Sequence, residues 1–433
     1  MKILTLFQIA LKYLLRYRQR YFFLFLALVF GFGVITAITS LKEGMIEMLY
    51  QTAQAHYAGD VMVLGYDNAS VGQTLHLRKS DADAVFEAIQ EMQLQPDRII
   101  VRSNFMNNAS LYFSGRVVHL KYVTGVDWDD ESAYFNRINW SAKPERLEED
   151  SILISSPTAK QLGIGLGDSL VLEVYDYWGQ RNTGSFTIAG VIDDKSIFGY
   201  FKSYIAKDAL NRLVGFDDGD CSMIGLFFKD RKNIAQKQAL LQTVLERRIN
   251  MGPILRNRDD FATETAASFT ELRAFVLTLG VYLSELSDLL NAMNVLSYLL
   301  FLMMLVIIFV SAFVTYRLIL YERTKELGTM RIIGFQEEDI AGVLVMEAAC
   351  LAIVSVFVGF FLSLLLVRLF SFLPFTQIPS FEIFMKDGEL FALFNPRTVL
   401  FNAFAVFCVL LPALGTPAHF LSKETPAQML RSE

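Results

Sequence analysis

Four long runs with almost no formal charge constrain this chain more than any other feature. A helix rises 1.5 Å per residue, so about 20 apolar residues cross a ~30 Å hydrocarbon core. Tyr21 to Leu41 carries no charge, and neither does Leu289 to Tyr316, in which Val295, Leu299, Leu300, Met303, Met304, Ile307, Ile308 and Phe309 leave no polar face. Ile340 to Val367 holds a single charged residue, Glu347, and Thr398 to Ser422 holds none. Transmembrane helices are therefore predicted at 21–41, 289–316, 341–367 and 398–416. A cleaved signal peptide is the rival for the first. That run is longer than the usual ~7 to 15 residue apolar region and lacks an A-x-A site, so it is expected to stay as an anchor.

An even number of spans puts both termini on one side. Lys and Arg resist translocation, and they cluster before the first span (Arg16, Arg18, Arg20) and between the second and third (Arg317, Arg323, Lys325, Arg331). Those segments are expected in the cytoplasm, and the stretch from Lys42 to Asp288 outside. Charge follows the same division. Residues 1–41 carry five bases and no acid, whereas 42–288 has nine more acids than bases, so the net charge of −6 sums unlike compartments. Leu4, Phe7, Leu11, Leu14 and Leu15 recur at helical spacing, turned away from Lys12 and Arg16. Either a helix lying in the inner interface or a plain extension of the first span fits that pattern.

Between residues 57 and 260, β-rich runs alternate with helical ones. Asp60 to Leu64, Arg98 to Arg102, Leu111 to Phe113, Val117 to Val123, Ser169 to Tyr175, Phe186 to Ile192 and Met223 to Phe228 predict antiparallel strands parted by turns. Ala82 to Met92, Pro157 to Leu162 and Asn233 to Arg248 predict helices. Residues 42–56 and 264–290 are expected to be helical stalks leading into the first two spans, unless Gly44 or Gly280 breaks them. The fold class is thus membrane α-helical, four transmembrane helices with a large α+β extracytoplasmic domain between helices 1 and 2. The expected boundaries are 1–20 (cytoplasmic amphipathic helix), 21–41, 42–288 (the outer domain), 289–316, 317–340 (cytoplasmic loop), 341–367, 368–397 (short outer loop), 398–416 and 417–433 (cytoplasmic tail).

No catalytic or metal-binding pattern emerges. Three cysteines (Cys221, Cys350, Cys408) are too few for a disulfide framework, and only Cys221 falls outside the apolar runs. His56, His76, His119 and His419 lack metal-ligand spacing. The acidic groups Asp127, Asp129, Asp130, Glu131 and Asp217, Asp218, Asp220 lack the full calcium-loop spacing and are expected to be solvated. Asn68, Asn108 and Asn139 form N-x-S sequons at a chance rate. There is no G-x-x-x-x-G-K-[ST] loop, so nucleotide must be bound elsewhere.

Three strings carry a family resemblance. Tyr321-Glu322-Arg323-Thr324-Lys325-Glu326-Leu327-Gly328-Thr329-Met330-Arg331-Ile332-Ile333-Gly334 is a short amphipathic helix with acids early, Arg331 late and Gly334 placed to stop it. It resembles the ER-x-REIG-x-x-x-A-x-G signature of FtsX/MacB-type ABC transporter permeases. Ile152 to Leu170, with Ala159-Lys160-Gln161-Leu162-Gly163 followed by Gly167-Asp168, is similar to that family's outer-domain stretch. Val123-Thr124-Gly125-Val126-Asp127 and the strand Phe186 to Val191 resemble its flanking elements. The terminal Thr425-Pro426-Ala427-Gln428-Met429-Leu430-Arg431 is similar to the family's P-x-x-x-LR ending. Phe335 departs from the pattern, as do Thr329 and Ile333.

The resemblance implies a permease of the inner membrane with a MacB-like periplasmic core domain and no enzyme activity or cofactor of its own. ATP-Mg would be bound by a separate ABC ATPase dimer. Glu322, Arg323, Lys325, Glu326, Leu327, Gly328, Met330, Arg331 and Gly334 would form the coupling helix that meets that ATPase. A second permease subunit, a copy or a paralogue, would complete the transporter, with the lipid bilayer and a periplasmic lipoprotein or chaperone as further partners and no nucleic acid. Ala10-Leu11-Lys12-Tyr13-Leu14, the length and the lack of a fused ATPase resemble the LolC/LolE permeases, so lipoprotein release is expected first. Export of peptides, macrolides or other amphiphiles is the alternative, and FtsX-like regulation of cell-wall hydrolases a further one. A receptor with an inert anchor is the rival from another class; it predicts that changing Glu326 or Gly328 has no effect. Glu347 is expected to be an interface residue satisfied by headgroups or a basic neighbour, with a functional switch as its second reading.

Overall fold

The computed structural model describes residues 3–67, 75–136, 138–194, 199, 202–266, 272–373, 381–386 and 389–422. The chain divides into two compact units. One comprises Met1–Met48, Leu289–Phe375 and Phe384–Glu433, the other Leu49–Asp288 and Thr376–Ile383. The terminal string Thr425 to Arg431 and Asn68 lie outside the described residues.

The first helix, α1 (Ile3–Arg16), ends at a turn on Tyr17, and α2 (Arg18–His56) follows as one helix of 39 residues. Its last residues open the second unit. There the helix closes with Gly59 N–H on the Gln54 carbonyl (2.9 Å) and Ala58 left-handed at φ 63°.

In chain order the second unit runs β1 (Val61–Tyr66), α3 (Lys79–Glu91), β2 (Arg98–Phe113), β3 (Arg116–Val126), α4 (Ser132–Phe135), β4 (Trp140–Ala142), β5 (Ser151–Ser155), α5 (Ser156–Leu162), β6 (Ser169–Tyr175), β7 (Arg181–Ile192) and β8 (Lys202–Ala206). It continues with α6 (Lys207–Val214), β9 (Met223–Phe227), α7 (Ile234–Leu245), α8 (Arg258–Ala266), β10 (Arg273–Thr278) and α9 (Leu279–Tyr282). All ten strands join one sheet. Successive pairings β2–β3, β3–β8, β8–β5, β5–β7, β7–β6 and β6–β2 close on themselves, making a six-stranded ring. The ring encloses an apolar core that includes Leu111, Leu120, Ile154, Leu172 and Ile205. β2 then leaves the ring: past an irregularity between Met106 and Ala109 it pairs with β9 instead of β6, and β1 and β10 extend the sheet beyond.

This extension is covered on both sides, which is why β1 is apolar at alternate and intervening positions alike. Val61 and Val63 join α3 and α7 residues in one core, while Met62 and Leu64 join Phe275 and Leu277 in another. The string Ile152 to Leu170 folds as β5, α5 and a turn into β6. Ser155 Oγ accepts from Thr158 N–H to cap α5, and Gly163 ends it in the left-handed region at φ 72°.

Three expectations need correction. Residues 264–290 are a helical stalk only in part: β10 pairs with β1 from Arg273 to Thr278, and helix resumes with α9, a 3-10 turn at Leu283–Leu286 and the long helix that begins at Ser287. Glu131 and Asp220 are not solvated. Asp220 accepts from Lys79 N–H (2.9 Å) and lies 2.6 Å from His76 Nε2. Glu131 is fully buried against the equally buried Arg102. Arg102 also donates to the His56 and Ala55 carbonyls, and Lys202 Nζ donates to His56 O, each at 3.0 Å. The carbonyls at the negative end of α2 thus accept from the Arg102 guanidinium and the Lys202 amine, both buried. Burial pushes the Lys202 amine well below its ordinary value, and Arg102 adds to the effect. Cys221 is buried as well.

Back in the first unit are α10 (Ser287–Glu322), α11 (Thr324–Ile332), α12 (Glu337–Ser371), a β11–β12 hairpin (Met385–Lys386 with Glu389–Leu390) and α13 (Pro396–Ser422). α2, α10, α12 and α13 are long and apolar enough to cross a membrane. Tyr21, Leu24, Leu28, Phe32 and Ile35 set α2 into the core of this unit, against Ile308 and Ile319 of α10, Leu344 of α12 and Leu410 of α13. Over half of the α2 window is buried compared with 17% for α10, so α2 is the central helix.

α2 is unbroken at Gly44 because the glycine serves a close approach. A Cβ there would lie 1.9 Å from the Phe391 carbonyl oxygen. The segment after the hairpin straps α2, with Leu393 N–H donating to Ser40 O, and Asn402 Nδ2 of α13 donates to Thr39 Oγ1 beside it, each at 2.9 Å.

Candidate functional site

The short helix singled out by sequence, α11, is separated from α10 by one residue. Arg323 is that residue, and its side chain turns inward rather than outward. It is 1% exposed. Its Nη1 donates to Glu347 Oε2 and to Tyr21 Oη, both at 2.8 Å, and Nη2 reaches Glu347 Oε1 at 3.3 Å. Tyr21 Oη donates to the same Glu347 Oε2 at 2.7 Å. Glu347 is fully buried on α12, which makes it a partner of the motif arginine and not a group satisfied by headgroups.

Aromatic rings enclose this pair. The Tyr13 and Tyr17 centroids lie 4.7 and 5.5 Å from Arg323 Cζ, within cation–π range. Tyr17 Oη donates to Glu326 Oε1 of α11 at 2.6 Å. Tyr316 of α10, also buried, donates to the Leu344 carbonyl at 3.3 Å. A buried charge pair needs hydrogen bonds to be tolerated; here Tyr21 of α2 bonds both partners, while Arg323 Nε lies 3.7 Å from Glu326 Oε2 of α11 without a hydrogen bond.

α11 therefore has two sides. Leu327 and Gly328 are buried, and Met330 packs on the core of the unit. On the other side Glu322, Lys325 and Thr329 are exposed, with Ile332 at 62% and Ile333 at 79%. Gly334 follows at φ 107°, and Arg331 is half-buried. Of the expected coupling residues, the structure brings Arg323, Glu326, Leu327 and Met330 together with the spans and leaves Glu322 and Lys325 outward. The tyrosines escaped sequence reasoning, although Tyr13, Tyr17 and Tyr21 fall at i, i+4, i+8, the spacing of one helix face. Among the described residues no group of three His, Cys, Asp or Glu is placed to hold a metal.

Four apolar helices, an α/β domain between the first and the rest, and a short helix braced by a buried ion pair define an integral membrane subunit of the transporter-permease class. Residues 298–426 match the FtsX-like permease C-terminal family and residues 22–244 the MacB-like periplasmic core domain. The chain belongs to the FtsX/MacB-type permeases. Among solved structures it is similar to the periplasmic region of MacB from Actinobacillus actinomycetemcomitans: 9% identity, 53% of this chain and 94% of that one covered, TM-score 0.29. It is also similar to a domain of a putative permease protein from Porphyromonas gingivalis, at 14% identity, 50% and 87% coverage and TM-score 0.27. No curated protein matches it. Permeases of this family work with ABC ATPases in the membrane and are generally non-catalytic, and the family together with the four apolar helices points to an inner-membrane protein.

Proposed function

We propose that this chain transmits the ATP-driven motion of a separate ABC ATPase dimer to its outer domain, and that the work done is release of lipoproteins from the inner membrane. One observation carries the reading: α11 offers Lys325, Thr329, Ile332 and Ile333 outward while Arg323 ties its other side to Glu347 and Tyr21. A push on the outward side would reach α2 and α12 through that pair. The positive-inside pattern supports a cytoplasmic α11 and cytoplasmic termini. A second permease subunit, identical or paralogous, completes the assembly.

Lipoprotein is the substrate of choice because Glu347 is the only charged side chain within 21–41, 289–316, 341–367 and 398–416, and it is already paired. A pore for polar solutes needs polar groups along its length, whereas an acylated protein lifted from the outer leaflet does not. The likeness of the N-terminal entry sequence to LolC/LolE permeases points the same way.

The test is purification of the intact complex from native membranes, with its cargo identified by mass spectrometry. An ATPase and an acylated protein are the expected companions. A companion set of periplasmic adaptor and outer-membrane channel would move the assignment to export, and ATP hydrolysis by the chain alone would end it.

A further inference from the structure

We propose that α1 is a binding surface for anionic phospholipid and that its seating on the lipid positions α11. The proposal rests on the coupling role argued above, but its first half stands on the geometry of α1 itself.

At about 100° per residue, α1 and the turn after it present three sectors. Ala10, Leu14 and Tyr17 face the membrane unit: Ala10 is fully buried, and Leu14 and Tyr17 pack against its core. Beside them Phe7 and Leu11 lie uncovered, 43% and 44% exposed. Opposite these, Gln8, Lys12 and Arg16 are exposed, and Arg18 is exposed at the head of α2. No acidic residue occurs before Glu43. A helix held only by its neighbours has no use for two bare apolar side chains, and one sunk in hydrocarbon would not carry the bases. A helix in the interfacial plane requires both. The positive sector then selects negatively charged headgroups.

The route from lipid to α11 is short. Tyr13 and Tyr17 lie on the same helical face as the packed residues, and their rings rest on Arg323. Tyr17 holds Glu326 directly. Shifting α1 off the lipid would withdraw both rings and that hydrogen bond, loosening the first turn of α11.

The full chain in nanodiscs tests this without any ATPase. In a Phe7→Trp variant, brominated phosphatidylglycerol should quench the added fluorescence more strongly than brominated phosphatidylcholine. Each charge removed in a Lys12→Gln, Arg16→Gln, Arg18→Gln series should lower that preference about fivefold, and Lys12→Arg should retain it. Amide exchange in 324–334 should slow when phosphatidylglycerol replaces phosphatidylcholine. Tyr17→Phe should keep the quenching and lose the slowing. Equal quenching by the two lipids would overturn the lipid surface, as expected if an acidic protein covers α1 instead. Preferential quenching with unchanged exchange would overturn the positioning role. Failure of an ATPase to associate would sink the proposed function while leaving both readouts intact.

Discussion

Arg323 and Glu347 form a buried ion pair between the foot of α10 and the body of α12, with Nη1 and Nη2 each directed to a different carboxylate oxygen. Tyr21 of α2 donates to the carboxylate and accepts from the guanidinium, so the three helices share one polar centre. Removing one partner leaves the other buried and uncompensated. Glu347→Leu alone should therefore destabilise the membrane unit by about 3–5 kcal/mol, and the Arg323→Met/Glu347→Leu pair by much less than the sum of the singles. Thermal unfolding in detergent gives the cycle, and additive losses would refute the coupling.

On the outward side of α11 the reverse is expected. Ile333→Asp touches nothing buried and should change stability by less than about 0.5 kcal/mol. If that side meets the ATPase, the substitution should abolish copurification of the partner. Retention of the ATPase at wild-type yield would place the contact elsewhere.

The strap over α2 predicts a steric effect. Gly44→Val puts carbon where the Phe391 carbonyl stands and should cost about 1–3 kcal/mol, with loss of the Leu393 to Ser40 hydrogen bond. Faster amide exchange at Leu393 is the direct measure.

Lys202 gives a signed pH dependence. Burial depresses its folded-state pKa, so between that value and ~10.4 the unfolded chain binds more protons than the folded one, and stability contributed at this site rises with pH. Lys202→Met removes the rise. The difference in unfolding free energy between wild type and variant should move in favour of wild type as pH increases from 7 toward 10, as read by denaturant titration.

Burial pushes the Cys221 thiol up to about 12, which keeps it protonated at neutral pH. Maleimide should label it only after unfolding, and rapid labelling of the native protein would contradict the burial.

Much of this was legible in the sequence. The four spans announce themselves because lipid demands apolar length, and α11 because its acids, late arginine and closing glycine are local signals. A basic neighbour for Glu347 is one of the two ways the sequence suggests of satisfying it, but nothing local identifies that neighbour as Arg323, 24 positions away. Tyr13, Tyr17 and Tyr21 share a helical spacing, but tyrosines near a span are also ordinary interface anchors, so the spacing alone does not point to Arg323. The sequence of β10 reads as helix. Leu272, Arg273 and Ala274 suit a helix, and only pairing along the length of β1, a tertiary term, makes 273–278 a strand. Glu131 reads as one acid among several in a turn, and its partner Arg102 lies 29 residues away on β2.

The strands that close upon one another in the second unit leave little backbone unclaimed. Of the two margins of the sheet, β10 is already met at Ala274 by Asn250 and Gly252, and β4 is three residues long. Among the described residues, another polypeptide thus finds scarcely any ladder to extend. Whatever recognises this domain must do so through side chains on its faces and loops, so its specificity is written in sequence that can vary without disturbing the pairing beneath.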